Sequence, residues 1–384
     1  MTAGINIYRN SDQIVKKESD DINVIIVGPK APPYGGIATF VEHIQANATI
    51  KHKGEIWHYR TGKKSKNTPN CIQSLIEIVL IGKFPLSQKF RESDIIHIHT
   101  ASGLSYYRNA AYAIIGHLFG KKIIFHIHGA AFHDFYNNAT PFMKRAIAHI
   151  IKTCDKIVVT SKSWIPTIKQ IGCDVECIRV IPNGYDQKVF YQIDKSGARN
   201  KLGIPFDRKI LITIANLESY KGHKYLIEAM ETIIKKRNDV VLYIIGNGSL
   251  EGDLKEQTQQ AHLTNHVIFT GGNKPSEELP LWLGSCDLFV LPSLNEGNPI
   301  VMFECLGSGK PFIGTIVGGV PDIITSEDYG LLVKPANPQE LAETILKGLE
   351  LEWNHDKIIS YAEQFTWGKI TEKVIDIYHE TVNH

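Results

Sequence analysis

From Ile22 onward, short β-branched runs alternate with amphipathic stretches, and the alternation starts again after a break near residue 182. Strand–helix–strand order of this kind returns each strand to the same end of the sheet, so it builds parallel sheets with helices on both faces. In the first run the pattern predicts strands at Ile22–Val27, Glu55–Tyr59, Ile95–His99, Lys122–His128, Lys156–Thr160 and Ile178–Ile181. Helices are predicted between them at Gly36–Asn47, Ile72–Ile81, Ser105–Phe119, Pro141–Lys152 and Ser163–Ile171. The second run predicts strands at Lys209–Ala215, Val240–Ile245, Val267–Thr270, Leu288–Pro292, Pro311–Gly314 and Gly330–Val333. Its helices are Gly222–Lys236, Leu250–His262, Pro299–Gly307 and Pro338–Glu350. The polar segment from Pro182 to Arg208, with glycine and proline, reads as the linker. The expected fold is therefore α/β, two doubly wound Rossmann-like domains, and 384 residues suit two such units. Ligands of these sheets sit beyond the carboxyl ends of the strands, which makes an interdomain cleft the expected site.

Several function classes fall away on composition. A formal charge of +2 supplies no general attraction for nucleic acid. Of six cysteines only Cys173 and Cys177 are close together, without the partner pair or histidines of a zinc module, so reduced thiols are expected. The start, Met1 to Asp21, is polar and mixed in charge, unlike a signal or transit peptide. The apolar runs Ile72–Ile81 and Ala110–Phe119 fall short of the ~20 residues a membrane span needs. A cytoplasmic protein is expected, with peripheral contact at the inner membrane face left open by the basic run Lys63, Lys64 and Lys66.

The densest candidate site is Ser293-Leu-Asn-Glu296-Gly-Asn298-Pro299 through Glu304. A proline-ended strand precedes it, and Pro299 reads as the first residue of a helix. The amides of Ile300 and Val301 would then lie at the positive end of a helix dipole, a place suited to phosphate. Glu304 lies deeper along the helix, able to reach a group held above its end. Taken singly, Glu296 reads as a solvated loop charge and Glu304 as a surface residue.

Other segments add to it. The paired Gly35-Gly36 ahead of the first helix lets backbone amides approach a ligand, without the spacing of a dinucleotide fingerprint or a P-loop. Strand alternation places His97 and His99 on one face, and His126 and His128 on another common face. His128, followed by Gly129, suits a polar ligand in the cleft; His97 and His126 read as packing residues, and no metal is expected. Lys221, between a strand and a helix, reads equally as a diphosphate partner or a solvated lysine. Gly246 and Gly271-Gly272 follow successive strands and permit close approach of a ring or ribose.

Together these pieces resemble family 4 of the GT-B glycosyltransferases, retaining enzymes that use nucleotide-activated sugars. The resemblance runs from about Ile22 to the end, and Glu296-x7-Glu304, continuing into Gly307-Ser-Gly309-Lys-Pro311 and Gly318-Gly319-Val-Pro321-Asp322, is its most specific part. Gly35-Gly36, His128-Gly129, Ile181-Pro-Asn183-Gly184-Tyr-Asp186 and Lys221-Gly222 support it. It implies an acceptor-side domain over residues 1–190, a donor domain over 191–365, and a last helix, 366–384, crossing back to the first. By the same resemblance Glu296, His128 and Lys221 would be catalytic. Gly35, Gly36, Asn216, Lys221, Gly246, Asn298, Ile300, Val301 and Glu304 would bind the donor, with Glu304 on the ribose. The expected donor is a nucleotide diphosphate sugar, UDP-linked by preference, with no further cofactor; the acceptor is a saccharide or lipid-linked saccharide of polysaccharide or glycolipid synthesis. Many relatives carry arginine where this chain has Asn216, and Arg60 or Arg108 are candidates for the missing charge. Two alternatives stay open at this stage: a sugar-nucleotide epimerase or phosphorylase on the same fold, and a nucleotide-sugar-binding protein without catalysis.

Overall fold

The computed structural model describes residues 21–32, 35–62, 69–130, 132–272, 274–275 and 277–383. The segment before Asp21 and the basic residues Lys63, Lys64 and Lys66 lie outside them. The first sheet is built from β1 (Val24–Gly28), β2 (Ile56–Arg60), β3 (Ile95–Thr100), β4 (Lys122–Ile127), β5 (Lys156–Val159) and β6 (Ile178–Val180). They are parallel throughout and ordered β2-β1-β3-β4-β5-β6. The second contains β7 (Lys209–Ile214), β8 (Val240–Ile245), β9 (Val267–Gly271), β10 (Leu288–Leu291), β11 (Phe312–Thr315) and β12 (Gly330–Val333). Its parallel order is β12-β11-β10-β7-β8-β9. Each order reverses direction at one point, between β1 and β3 in the first sheet and between β7 and β10 in the second. Loops leaving the strands there diverge to opposite faces and open a crevice.

Both sheets are buried on both sides, which is why their strands read as near-continuous Ile, Val and Leu. One face of the first sheet packs Ile96, Ile98 and Phe125 under Tyr106 and Tyr112. The other lies under the helix Gly36–Lys51, through Phe40, Val41 and Ile44, and under the last helix, Trp367–Val382. That last helix returns from the second half, and Ile370, Val374 and Tyr378, each buried to 1% or less, fix it there. Burying each such side chain is worth on the order of 1.5–3 kcal/mol, which favours the docked position of this 16-residue amphipathic helix.

Two local expectations need correction. The segment read as linker, Pro182 to Arg208, contains a helix, Lys195–Leu202. Its apolar face is nearly absent; instead Asp194 caps it through the Gly197 amide, Gly203 closes it with φ +66, and Arg199 folds inward. The Arg199 guanidinium donates to Asp287 and to the carbonyls of Ser285 and Arg208, so a cation occupies the place of the usual leucine. The second correction is one residue wide. Pro299 is the N-cap, not the first helical residue: its ring sets φ near −69°, but ψ is extended at 124°, and the helix spans Ile300–Gly307.

Candidate active site

Both switch points open onto one cleft of about 790 Å³ between the halves. From the first half it is lined by Gly35, Gly36, Ile37, Ser102 and His128; from the second by Asn216, Tyr220, Lys221, Glu296, Asn298, Ile300, Val301 and Glu304. Two helices start at it. Gly36–Lys51 has no side-chain cap and no acid in its first turn, and a Cβ on Gly35 or Gly36 would meet nothing within 4 Å. The helix Ile300–Gly307 also lacks a cap and an early acid. Because Met302 already donates to Pro299 O at 3.1 Å, the amides of Ile300 and Val301 are the pair left for a ligand. Uncapped N-termini from both sides give the cleft positive potential without many cations.

Cations are in fact scarce. Among the described residues lining the cleft, Lys221 is the one lysine or arginine. Arg60 donates to Pro32 O at 2.6 Å, and Arg108 is spent on Asn109, Ser105 and Glu77, so neither replaces the charge missing at Asn216. Asn216 itself lines the cleft, exposed, while Glu218 turns away to take the Ser249 amide and hydroxyl at 3.1 and 2.8 Å. The loop is held in place from below: Leu294 N donates to Tyr220 O at 2.7 Å, and a Cβ on Gly222, φ +69, would stand 2.1 Å from Pro292 O. Only glycine fits there.

Lys221 Nζ lies 2.7 Å from Glu296 Oε1, and the same oxygen accepts the Ser293 hydroxyl at 2.7 Å. Glu296 is 6% exposed, so a carboxylate at this depth needs such a partner. Both bonds fall on Oε1, which leaves Oε2 for a ligand. Glu304 is different. Burial pushes its carboxyl up to about 7, so it is poised between a proton donor and an acceptor at neutral pH. Asn298 lines the cleft and is anchored there: its side-chain oxygen takes the Asn183 amide at 2.7 Å and its carbonyl takes the Asn183 side chain, tying the helix entrance to the interdomain segment, while its buried Nδ2 has no partner among the described residues. Gly246 stands apart from the cleft lining. Its amide donates to Gly271 O at 3.1 Å and a Cβ would lie 1.9 Å from Ala215 O, so its missing side chain serves the packing of adjacent strand ends.

Across the cleft, His128 belongs to a buried histidine group. The register pairs His99 with His126, so all four rings stand on the same side of the sheet rather than on separate faces. His99 Nδ1 and His128 Nε2 are 2.9 Å apart, His97 Nδ1 and the Tyr378 hydroxyl 2.8 Å, and His97 Nε2 and His126 Nδ1 3.3 Å. His97, His99 and His126 each bring one nitrogen within 4.8 Å of the others. Burial drives the pKa of His97 and His128 down to about 3 and holds those of His99 and His126 well below the ordinary value, so the rings are neutral. His128 thus meets the cleft as a neutral hydrogen-bonding ring, with Nδ1 left for a ligand.

Contacts that no spacing in the chain reveals join the halves at the cleft's edge. Asp322 Oδ2 accepts the Ser161 hydroxyl at 2.7 Å and the Lys162 amide at 2.6 Å. A Cβ on Gly297 would stand 2.9 Å from His128 O, so the glycine beside Glu296 lets the two loops touch.

The chain is similar to known proteins over both halves. Residues 23–189 match the family model for Glycosyltransferase Family 4, and residues 194–365 that for Glycosyl transferases group 1. The N-acetyl-alpha-D-glucosaminyl L-malate synthase of Bacillus anthracis is 26% identical over 80% of this chain and 80% of its own. A D-inositol 3-phosphate glycosyltransferase of Nocardioides is 26% identical over 60% of this chain, a match that spans 54% of that protein's length. The fold is that of Anabaena HepE, solved with UDP, at a TM-score of 0.74 with 19% identity, 94% of this chain and all of that one. The lipopolysaccharide outer core galactosyltransferase WaaB superposes with a TM-score of 0.68 at 16% identity, over 92% of this chain and 99% of its own.

Proposed function

Since this chain belongs to the family 4, group 1 glycosyltransferases of GT-B fold, we propose that it is a retaining enzyme moving a hexose from a UDP-sugar to a saccharide or lipid-linked saccharide. The observation that carries the reading is the meeting, in one cleft, of the Ile300–Gly307 helix entrance, the Lys221–Glu296 pair, Glu304, and the Gly35-Gly36 loop with His128 opposite. The diphosphate lies on the Ile300 and Val301 amides and the Gly36 helix start, with Lys221 as its cation. Glu304, ionised, accepts from the ribose hydroxyls. Glu296 Oε2 meets the sugar's hydroxyls near its reacting carbon, and His128 holds the sugar from the other domain. Breaking the sugar–phosphate bond builds negative charge on the departing diphosphate, where fixed dipoles and one lysine are already aimed. The complexes of HepE with UDP and with UDP-glucose favour uridine as the base.

Retention is supported by what faces the acceptor. Among the described lining residues the first domain contributes no carboxylate, and His128, held neutral down to about pH 3, is a poor base. An inverting attack would need a base on that side. In the retaining course the acceptor hydroxyl bonds to the anomeric carbon on the face the diphosphate leaves, and its proton passes to the departing phosphate oxygen. A panel of UDP-hexoses offered with saccharide acceptors, the product's anomeric configuration read by magnetic resonance, tests this. Transfer with the donor's configuration kept is expected, and Glu304→Ala should weaken donor binding by roughly a hundredfold. An inverted product, or epimerised sugar nucleotide formed without acceptor, would overturn the reading.

A further inference from the structure

The cleft carries little positive charge for a diphosphate, which brings two negative charges of its own. Among the described residues lining it, the charged side chains are Lys221, Glu296 and Glu304, since His128 is neutral. Lys221 and Glu296 cancel one another at 2.7 Å, and Glu304, once ionised to accept from ribose, leaves the lining one unit negative. The two uncapped helix entrances, at Gly36 and Ile300, return roughly half a positive charge each. Their sum offsets the surplus carboxylate and no more. Arg60 and Arg108, held by Pro32 and by Asn109 and Ser105, do not line the cleft. A diphosphate lowered between the two domains would thus face a near-neutral lining, at the point where a departing group needs its charge stabilised.

Asn216 marks where the missing charge fits. It lines the cleft on the loop between β7 and the helix His223–Lys236, the loop that also carries Lys221. β7 lies beside β10, whose exit leads to the Ile300–Gly307 entrance, so Asn216 and that entrance flank the same space. The backbone of Asn216 is fixed, its carbonyl accepting the Glu218 amide at 2.9 Å, while its exposed side chain bonds no described residue. Glu218, the carboxylate of this loop, is turned onto Ser249 and stands apart from the cleft lining. An asparagine side-chain oxygen is a neutral ligand for a hard divalent cation. One such oxygen holds no cation alone, so the cation has to arrive on the phosphates. Mg²⁺ binds in this way, keeping several waters and taking its other oxygens from substrate phosphate and a few protein groups. Its two charges bring the diphosphate to neutrality, which matches the lining.

We propose that this chain takes its donor as a complex with a divalent cation of the Mg²⁺ type, held between the diphosphate and the side-chain oxygen of Asn216, with water completing the coordination. The cation shares with Lys221 the charge that builds on the departing diphosphate. The inference rests on the donor reading above and departs from the sequence expectation that no metal takes part. Calorimetry of the full chain measures its affinity for UDP in EDTA, and with Mg²⁺ replacing Na⁺ at equal ionic strength. Mg²⁺ is expected to tighten UDP binding by at least about tenfold, and to give no binding heat without UDP. Asn216→Arg supplies a fixed cation at an exposed position. That variant is expected to bind UDP in EDTA about as tightly as wild type does with Mg²⁺, and to gain less than about threefold from the metal. The isosteric Asn216→Asp should move the other way, binding UDP more weakly in EDTA and responding more strongly to Mg²⁺. Wild type that binds UDP alike in EDTA and Mg²⁺ would overturn the proposal while leaving the donor reading intact. Two variants that both keep the wild-type response to Mg²⁺ would overturn it as well, by removing Asn216 from the site. UDP that binds under neither condition would sink the donor reading and this inference together.

Discussion

Replacing Lys221 by alanine is expected to lower turnover by about a thousandfold, the scale measured when one preorganised charge stabiliser is removed. The cleft lining offers no second lysine or arginine among its described residues to take over. In the unliganded protein the same change leaves Glu296, 6% exposed, without its cation at 2.7 Å. Stranding a buried carboxylate costs about 3–5 kcal/mol, so the melting temperature should fall as well. Adding Glu296→Gln to Lys221→Ala separates the two effects. The neutral pair should recover stability, because the amide no longer needs a counter-ion, while turnover stays low, since the diphosphate lacks its cation and the sugar its carboxylate. Lys221→Arg should keep the charge but place a planar fork where a point charge fits, and recover only part of the rate. Steady-state rates and melting temperatures of the wild type and these three variants decide the matter. Lys221→Ala with turnover within a few-fold of wild type would make the pair structural only.

Mild acid is expected to unfold this protein steeply. His97, His99, His126 and His128 are neutral in the fold because burial depresses their pKa values, and each regains an ordinary value near 6.5 when the chain unfolds. The unfolded state therefore binds more protons below pH 6.5, and the stability these rings contribute is present above that pH and lost as pH falls through it toward about 3. Each ring accounts for up to about 1.4 kcal/mol per pH unit. Glu304 acts in the opposite sense: raised to about 7, it binds its proton more tightly in the fold and regains stability as pH falls from 7 toward its ordinary range. Four depressed rings against one raised carboxyl leave a net loss of stability as pH falls below 6.5. Urea midpoints between pH 7.5 and about 5.5 measure it. A flat profile would mean that the rings are charged in the fold or already protected in the unfolded chain.

Periodicity made the architecture legible. Parallel sheets buried on both faces leave unmistakable runs such as Val24–Gly28 and Leu288–Leu291, so both halves could be read from alternation alone. The helix Lys195–Leu202 escaped because a cap, a left-handed glycine and an inward arginine replace its apolar face. The cleft was legible as a set of loops after strands, but the pairing of Lys221 with Glu296 joins residues 75 positions apart and depends on β7 lying beside β10. The histidines needed the register: each strand shows its own two on one face, and only the pairing of His99 with His126 puts all four together.

The claim on which the site depends is that the Ile300–Gly307 helix entrance receives the donor's diphosphate. Labelling isoleucine and valine for amide magnetic resonance and titrating with UDP observes it without any substitution. The amides of Ile300 and Val301 should shift and gain protection from exchange as UDP saturates the protein. If UDP binds while both amides remain unmoved and unprotected, the nucleotide lies elsewhere and the account of the cleft fails.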